Sequence, residues 1–313
     1  MNRKKIAILF GGHSTEYEVS LESAHAVITH IDKEKNELYL IGIDRHTGQW
    51  YWYRNDPEKI RNDSWNNRED CIPAAVSTDR IVQGVLELAG IPVIGCGLLS
   101  SALCMDKELA HRIVSAAGIR VAESITVKPG YNPQKLSVQA ERLGYPLFVK
   151  PVRAGSSFGI TKVARAEELL PAVENAFAHD SEVILEEMIR GFEVGCAVLG
   201  NEEPVVGEVD EIELSDGFFD YEEKYTLKTS EIHVTARISP DVAEKIKEAA
   251  LVIYRALKCS DFARVDLFLT PEGDIVFNEV NTIPGFTAHS RYPGMLKAAG
   301  MSFEEIIDRI LAL

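Results

Sequence analysis

The chain has 313 residues, of which 46% are hydrophobic and 26% are charged. At roughly 100–200 residues per domain, this length predicts two or three domains. The composition excludes a disordered or low-complexity chain. The 48 acidic and 33 basic residues give a formal net charge of −15, which makes nucleic acids and anionic membranes poor partners.

Strand and helix patterns alternate along the chain, which predicts an α/β architecture. The first domain is placed over residues 1–118 because Gly118 is a typical residue after a helix end. Its predicted elements in chain order are strand 5–10, helix 17–31, strand 37–43, a polar, loop-rich stretch over 44–80 and helix 98–117.

The second domain is predicted over residues 119–200 and the third over 201–313. The second is an α+β block with strand 119–127, helix 133–143, strands 146–150 and 160–163, helix 166–178, and strands 183–187 and 193–199. The third has strand 204–212, an aromatic loop over 215–229, helix 241–257, strands 262–269 and 275–280, and helix 303–311. Helix 241–257 is the clearest element, because its apolar residues recur with a period of 3.6.

The five cysteines are scattered, and none has the spacing of a zinc knuckle or a redox pair, which favours a reducing compartment. No apolar run approaches the length of a membrane span. The first such run ends at Gly11-Gly12 and is too short for a signal peptide. We therefore expect a cytoplasmic protein.

The strongest chemical pattern is the hairpin predicted from the last two strands. A two-residue loop at 272–273 would place Asp266 opposite Glu279, and Arg264 opposite Asn281. Adjacent carboxylates repel each other unless a cation or a proton lies between them. Two carboxylates and an amide oxygen suit Mg²⁺ held together with nucleotide phosphates. A solvated hairpin face with chance salt bridges is the alternative.

A second pattern is the glycine- and serine-rich stretch 150–159, which begins with Lys150. Its backbone amides are suited to holding phosphate while the lysine supplies charge. The stretch also matches the nucleophile elbow of serine hydrolases at Ser157, but an elbow requires a helix directly after the serine, and 160–163 has a strand pattern. A plain surface turn remains the other reading.

Two weaker patterns place acids near strand ends. Glu186 and Glu187 end an apolar strand, where a ribose or an adenine amine can bind, although most such acids are simply solvated. Glu16 follows the first strand, at the edge where open α/β sheets bind ligands. An acid at the start of a helix is an equally ordinary explanation of Glu16.

Together these residues resemble the ATP-grasp superfamily, and within it the D-alanine–D-alanine ligases. The matching motifs follow the family's order over nearly the whole chain. They are GGHSTEYEVS at 11–20, CMDK at 104–107, KPVRAGSSFG at 150–159, EEMIRGFEVG at 186–195, FDYEEKY at 219–225, ARVD at 263–266 and NEVNTIPGFTAHS at 278–290. The details are most similar to the vancomycin-resistance D-alanine–D-serine ligases of the VanG type.

The resemblance implies a three-domain ATP-grasp fold and an ADP-forming ligase. In such enzymes ATP phosphorylates the carboxylate of a first D-alanine, the amine of a second D-amino acid attacks the acyl phosphate, and the product enters peptidoglycan precursors. The implied cofactors are ATP and two Mg²⁺ ions, for which Mn²⁺ can substitute. The implied partners are small D-amino acids and a second copy of the chain in a homodimer.

The resemblance also implies roles for individual residues. ATP would contact Lys107, Lys150 and Lys224 through its phosphates, Glu186, Glu187, Met188 and Ile189 through adenine, Glu193 through the ribose, and Phe268. The metal ligands would be Asp266, Glu279 and Asn281, with Arg264 stabilising the oxyanion. A hydrogen-bonded triad of Glu16, Ser156 and Tyr225 would fix the first D-alanine and close the loop over 215–229. Substrate would also meet Gly285, Ser290 and Arg291.

The identity of the second substrate is the most specific expectation. The pair Lys224-Tyr225 is typical of relatives that use an amine nucleophile, so D-lactate is the least expected. D-Alanine ligases generally carry an apolar residue after Ser290, whereas this chain carries Arg291, as VanG-type enzymes do. We expect a polar subsite that favours D-serine, since a pocket that binds a hydroxyl discriminates against the analogue lacking it. Pairing of Arg291 with a nearby acid or with the substrate carboxylate is the alternative.

One junction departs from the family. Between Arg80 and Ile81 the family normally carries a few dozen further residues, including a core strand and an HGxxGEDG motif. Either this chain has an internal deletion, or the sequence as given omits a stretch that the protein contains and is numbered across it. The expected function is D-serine-favouring ligation linked to vancomycin resistance. The alternatives are an ordinary D-alanine–D-alanine ligase, an inactive nucleotide-binding relative and a serine hydrolase.

Overall fold

The computed structural model describes residues 3–13, 16–67, 70–74, 86–87, 90–154, 159–214, 230–287 and 289–313, with only the backbone at 73, 74, 214 and 230. Within these residues the chain forms three separate sheets with helices packed against them. The α/β class is therefore as predicted, and the domain boundaries at 118 and 200 stay predictions.

The strands and helices are numbered in chain order. The strands are β1 Lys4–Gly11, β2 Asn36–Ile43, β3 Trp50–Tyr53, β4 Cys71–Ala74, β5 Arg120–Val121, β6 Ser124–Val127, β7 Leu147–Pro151, β8 Thr161–Val163, β9 Val183–Glu187, β10 Phe192–Leu199, β11 Val205–Val206, β12 Asp210–Leu214, β13 Ser230–Val234, β14 Phe262–Leu269 and β15 Ile275–Asn281. The α-helices are α1 Tyr17–His30, α2 Pro57–Arg61, α3 Leu98–Met105, α4 Lys107–Ala116, α5 Pro133–Leu143, α6 Leu169–Phe177, α7 Pro240–Ala256, α8 Arg291–Ala298 and α9 Phe303–Ala312.

The first sheet has the strand order β1-β2-β3-β4, with a parallel β1–β2 pair and antiparallel pairs beyond it. The stretch 44–80, expected to be loop-rich, also contains the short elements β3, α2 and β4, which were not predicted. The sequence features that favour β3 and α2 are local. Trp50 and Tyr53 are buried at the two ends of an aromatic strand, and Asp56 caps α2 by accepting a hydrogen bond from the Glu58 N–H. The surrounding residues are mostly polar, so the hydrophobic pattern of the sequence does not reveal these short elements.

Helices α3 and α4 replace the single helix predicted over 98–117. Asp106 ends α3 in an extended conformation and caps α4, since its carboxylate accepts a hydrogen bond from the Leu109 N–H at 3.0 Å. Gly118 has a φ of 88°, as expected of the residue that ends the segment. The break makes Lys107 the first residue of α4 and places His111 about one turn later.

The second sheet is the largest, with the order β13-β12-β10-β14-β15-β5 and β11 paired to β10. Helix α7 buries its apolar stripe on one face of this sheet, where Ile246 and Ile253 join Val194, Val265 and Leu267 in one core. Predicted strands 119–127 and 204–212 are each two strands, and β13 and α8 were not predicted.

The third sheet is antiparallel with the order β6-β9-β7-β8. Helices α5 and α6 bury Leu136, Ala140, Leu169 and Val173 against it. Predicted helix 133–143 matches α5, whereas the first turn of helix 166–178 is a 3₁₀ turn. In the described part of the chain, no helix is both long and apolar enough to cross a membrane.

Candidate active site

The hairpin of β14 and β15 carries the predicted metal-binding face. Asp266 lies opposite Glu279, and Arg264 lies opposite Asn281, in the predicted register. The predicted two-residue turn is wrong, however, because Leu269 pairs with Ile275 around a longer loop.

A bulge restores the register beyond the turn. Leu267 pairs with Phe277 while Asp266 pairs with Glu279, so Asn278 is an extra residue on β15 with no partner on β14. Two departures from the simple hairpin therefore cancel at the chemically important positions.

Asp266 accepts three hydrogen bonds on this face, and only 1% of it is exposed. Arg264 donates to both of its oxygens, at 2.8 and 2.7 Å, which is the bidentate geometry of a strong pair. Asn281 donates its amide nitrogen to the same carboxylate at 2.7 Å. Burial opposes the charge of Arg264, but Asp266 holds the pKa of that guanidinium above its ordinary value.

The donor set of this face fits a hard divalent cation. The Asn281 nitrogen is used by Asp266, which leaves the amide oxygen as the atom suited to a cation. Asp266 and Glu279 add carboxylate oxygens from neighbouring strands. Oxygen-rich sets of this kind are the ones Mg²⁺ prefers.

Arg291, the first residue of α8, lies in a buried acidic cluster. It donates to both oxygens of Asp210 on β12, at 2.7 and 2.8 Å, and to Glu193 on β10 at 3.0 Å. The Asp266 carboxylate is 3.5 Å away. Gly195 leaves the room this requires, since a Cβ atom there would collide with the guanidinium. Arg291 therefore joins β10, β12 and β14.

The loop before α8 positions the other two predicted substrate residues. The Ser290 hydroxyl accepts a hydrogen bond from the Thr287 N–H at 3.0 Å, and Gly285 is close enough that a Cβ atom there would be 3.2 Å from that hydroxyl. The Phe286 N–H donates to Ser23 of α1 at 3.0 Å. The loop is thus fixed to the helix of the first sheet.

The predicted nucleotide residues begin with a buried ion pair in the third sheet. Lys150 on β7 donates to the Glu186 Oε2 atom on β9 at 2.5 Å. Burial alone would raise the pKa of Glu186, but Lys150 and His111 hold it below its ordinary value. The Glu186 Oε1 atom is buried and has no hydrogen-bond partner among the described residues.

The remaining predicted nucleotide residues within the described chain lie on α4, on β10 and β14, and at or just after the end of β9. Lys107 donates to the carbonyl of Ala154 at 2.6 Å. Glu187 accepts a hydrogen bond from the Glu123 N–H at 2.9 Å. Phe268 lies directly opposite Glu193 in the β10–β14 ladder, and the pair 188–189, Met and Ile, follows β9.

Three predicted residues, Ser156, Lys224 and Tyr225, lie outside the described residues, as do the loop 215–229 and Ser157. Glu16 is described, and it is an exposed residue at the N-cap position of α1. The hydrogen-bonded triad and the closing loop therefore stay predictions.

Sequence reasoning missed two buried residues of this site, Asp210 and His111. Asp210 is fully buried and is the main partner of Arg291, from which it lies 81 residues away in the chain. His111 is 5% exposed and lies 3.9 Å from Glu186. His111 carried one available signal, because it follows Lys107 by four residues and so shares its helix face.

Comparison with known proteins identifies the family. A family model described as "D-ala D-ala ligase N-terminus" matches residues 5–81, and one described as "D-ala D-ala ligase C-terminus" matches residues 113–312. The chain is similar to the crystal structure of VanG D-Ala:D-Ser ligase from Enterococcus faecalis, with 53% identity and a TM-score of 0.92, covering 100% of this chain and 99% of that one. This likeness confirms the predicted ATP-grasp fold.

Curated relatives agree and show that the chain is short. It is 41% identical to vancomycin C-type resistance protein VanC1 of Enterococcus gallinarum over 337 residues, with 99% of this chain and 98% of the relative covered. It is 37% identical to D-alanine–D-alanine ligase A of Chromobacterium violaceum over 350 residues, covering 100% and 95%. Because 337 aligned positions exceed the 313 residues of this chain, at least 24 of them are gaps in it. The predicted junction between Arg80 and Ile81 lies outside the described residues. By both family models and these relatives, the chain belongs to the D-alanine–D-alanine ligase family.

Proposed function

We propose that this protein joins D-alanine to a second D-amino acid, with D-serine favoured, at the expense of ATP. The observation that carries the proposal is the hairpin face on which Arg264, Asp266, Glu279 and Asn281 meet in register. The product would serve peptidoglycan precursors and vancomycin resistance, in keeping with the names of the relatives VanG and VanC1. A cytoplasmic homodimer is part of the same proposal.

In the first step a carboxylate oxygen of D-alanine attacks the γ-phosphorus of ATP, an acyl phosphate forms and ADP leaves. Such a transfer depends on positioning and on cationic groups rather than on a protein nucleophile. Lys107 and Lys150 are the described cations that would contact the phosphates, and Glu186 would meet the adenine. Asp266, Glu279 and Asn281 would hold Mg²⁺, which when bound offsets the negative charge of the phosphates.

In the second step the amine of the second amino acid attacks the acyl carbon, loses a proton and expels phosphate. The carbonyl oxygen carries negative charge in the tetrahedral intermediate. Arg264 is buried and fixed by Asp266, so it is suited to donate to that oxygen without reorganisation. Exclusion of water would protect the acyl phosphate from hydrolysis.

The preference for D-serine rests on the second-substrate subsite. Arg291 has five N–H donors, of which three point at Asp210 and Glu193. Pairing with nearby acids is the alternative reading of Arg291, so in this proposal its contribution to the subsite is indirect, through a buried, polar cluster beside Ser290. A hydroxyl on the incoming amino acid is compatible with such surroundings, whereas a methyl group leaves polar groups unpaired.

The test is competition between the two amines. The enzyme is given D-alanine, ATP and Mg²⁺ with an equal concentration of D-serine, and the two dipeptides are measured by mass spectrometry. We expect D-alanyl-D-serine to dominate. The charge-balanced variant Arg291→Leu/Asp210→Asn should lower the serine-to-alanine product ratio by about tenfold, whereas Arg165→Leu, at an exposed pair with Glu168, should leave it unchanged.

Other outcomes select the alternatives. If D-alanyl-D-alanine dominates and the ratio is the same in the variant, the protein is an ordinary D-alanine–D-alanine ligase, like the Chromobacterium violaceum relative. If ADP binds but neither dipeptide forms, the protein is an inactive nucleotide-binding relative. Labelling of Ser157 by an active-serine probe would support the hydrolase alternative.

A further inference from the structure

His111 is a buried histidine between the hairpin and the third sheet, and the ligation chemistry above gives it no role. Its Nε2 atom lies 3.4 Å from the carbonyl oxygen of Asn278 and 3.9 Å from the Glu186 Oε1 atom. Its ring meets Phe277 edge-on, with 5.6 Å between the ring centroids. The side chain therefore contacts β9 and β15 at once.

The β-bulge explains why the carbonyl of Asn278 faces His111. Asn278 is the extra residue of β15, so it has no partner on β14. Bulges re-aim groups that a regular ladder would use. A histidine N–H that donates to this carbonyl fixes the orientation of the imidazole, which makes the ring a rigid neighbour of Glu186.

Burial favours the neutral form of the imidazole. Burial lowers the pKa of His111, and Lys150 and Lys107 lower it further, while Glu186 opposes them. A neutral imidazole that donates from Nε2 keeps a polar N–H edge beside the Glu186 carboxylate without forming a second full ion pair.

Glu186 has one satisfied oxygen and one unsatisfied oxygen. Lys150 holds Oε2 at 2.5 Å, while Oε1 and the His111 Nδ1 atom are both buried without a hydrogen-bond partner among the described residues. An unpaired buried acceptor is costly, so this site favours a ligand that brings an N–H donor. The exocyclic amine of adenine is such a donor, whereas guanine carries a carbonyl oxygen at the same ring position.

We propose that His111 is a positioning residue that holds Glu186 for the exocyclic amine of the nucleotide base, and that it thereby selects adenine over guanine. Lys150 restrains one oxygen of the carboxylate, and the fixed imidazole lies 3.9 Å from the other, which stays available to the amine. This inference rests on the proposed use of ATP and adds a specificity role to a residue outside the predicted site.

The test compares nucleotides that differ only at the amine. ATP is compared with purine riboside 5′-triphosphate, which lacks the amine, and with GTP, in the full-length enzyme and in His111→Phe. In His111→Phe, loss of the oriented hydrogen bond between Glu186 and the adenine amine should raise KM for ATP about tenfold and leave kcat within about twofold. KM for the analogue should stay unchanged, and His111→Gln, which keeps an N–H donor, should restore part of the ATP preference.

Two controls separate this role from a structural one. His233→Phe removes a histidine paired with Glu213 and should not change KM for ATP. In a Glu186→Gln background, His111→Phe should have little further effect, because both residues act on the same amine. If His111→Phe does not fold, His111→Leu carries the same expectation.

Equal changes in KM for ATP and for the analogue, or a collapse of kcat with both, would overturn the proposal. Calorimetric binding of ADP and of purine riboside 5′-diphosphate tests the same amine without ligation. Amine-dependent binding that His111→Phe abolishes, in a protein that forms no dipeptide, would refute the proposed function while supporting the role of His111.

Discussion

The buried cluster of Arg291 gives the sharpest test of the fold energetics. Replacing Arg291 by Leu removes the partner of Asp210, which is fully buried, and of Glu193, which is nearly so. At about 3 Å and an effective dielectric constant of about 20, each opposite pair contributes about 5 kcal/mol of Coulomb attraction, much of which desolvation offsets. Breaking such a pair from one side costs about 3–5 kcal/mol.

We therefore expect Arg291→Leu to lower the free energy of unfolding by about 3–5 kcal/mol, which corresponds to a fall of about 6–20 °C in the melting temperature. Adding Asp210→Asn removes the stranded carboxylate, so the double variant should be more stable than Arg291→Leu alone. Urea unfolding followed by circular dichroism measures both effects. Arg165→Leu, at an exposed pair, is the control and should unfold as the wild type does.

Two results would refute the reasoning. If Arg291→Leu unfolds at the wild-type urea concentration, the guanidinium is not holding buried charge. If the decreases in unfolding free energy caused by Arg291→Leu and Asp210→Asn simply add in the double variant, the two residues do not interact energetically. Their contacts at 2.7 and 2.8 Å predict that they do.

Three further predictions follow from other parts of the structure. Glu279→Gln should reduce phosphate release with D-alanine and Mg²⁺ by orders of magnitude without destabilising the metal-free protein, since it relieves repulsion with Asp266; full activity in limiting Mg²⁺ would contradict this. Burial favours a raised pKa for Asp180, but Arg153 and backbone N–H groups hold it below its ordinary 3.8, so its stabilising effect is present above that pH and lost below it. Asp180→Asn should therefore flatten the fall in unfolding free energy on acidification below about pH 4, and identical pH profiles would exclude this role. Burial raises the pKa of the Cys196 thiol, so iodoacetamide should modify it in urea but not in the folded protein, as mass spectrometry would show, and equal rates would contradict its burial.

The hairpin shows how far counting along the sequence can reach. Period-2 alternation and the turn residues predict which side chains of β14 and β15 face each other, and Asp266 does pair with Glu279. The same counting cannot anticipate a bulge. The turn is one residue longer than predicted, which shifts the pairing next to it, and the extra residue Asn278 shifts the pairing back, so that Asp266 and Glu279 still face each other. The register was right although the predicted turn was wrong.

Local sequence patterns could not predict contacts between residues that are distant in the chain. Neither period nor propensity relates Asp210 to Arg291, or His111 to Glu186, because those pairs form only when separate sheets and helices come together. The break at Asp106 was missed for a different reason. The residues around it contain neither glycine nor proline, and only the capping contact to Leu109 marks the second helix.

The charge of the site gives one physical reason why a metal–nucleotide complex suits it better than a free nucleotide. Three of its described cations are paired with acids: Arg264 with Asp266, Arg291 with Asp210 and Glu193, and Lys150 with Glu186. Counted together with Lys107 and Glu279, these side chains are four basic and five acidic, a formal charge of −1 before any ligand binds, and Glu187 at the end of β9 adds a further negative charge. A polyphosphate entering alone would meet no net positive field, and the protein as a whole carries −15. Divalent cations held by the hairpin oxygens reverse that balance locally, so the facing carboxylates at Asp266 and Glu279 fit a polyanion that arrives together with its metal.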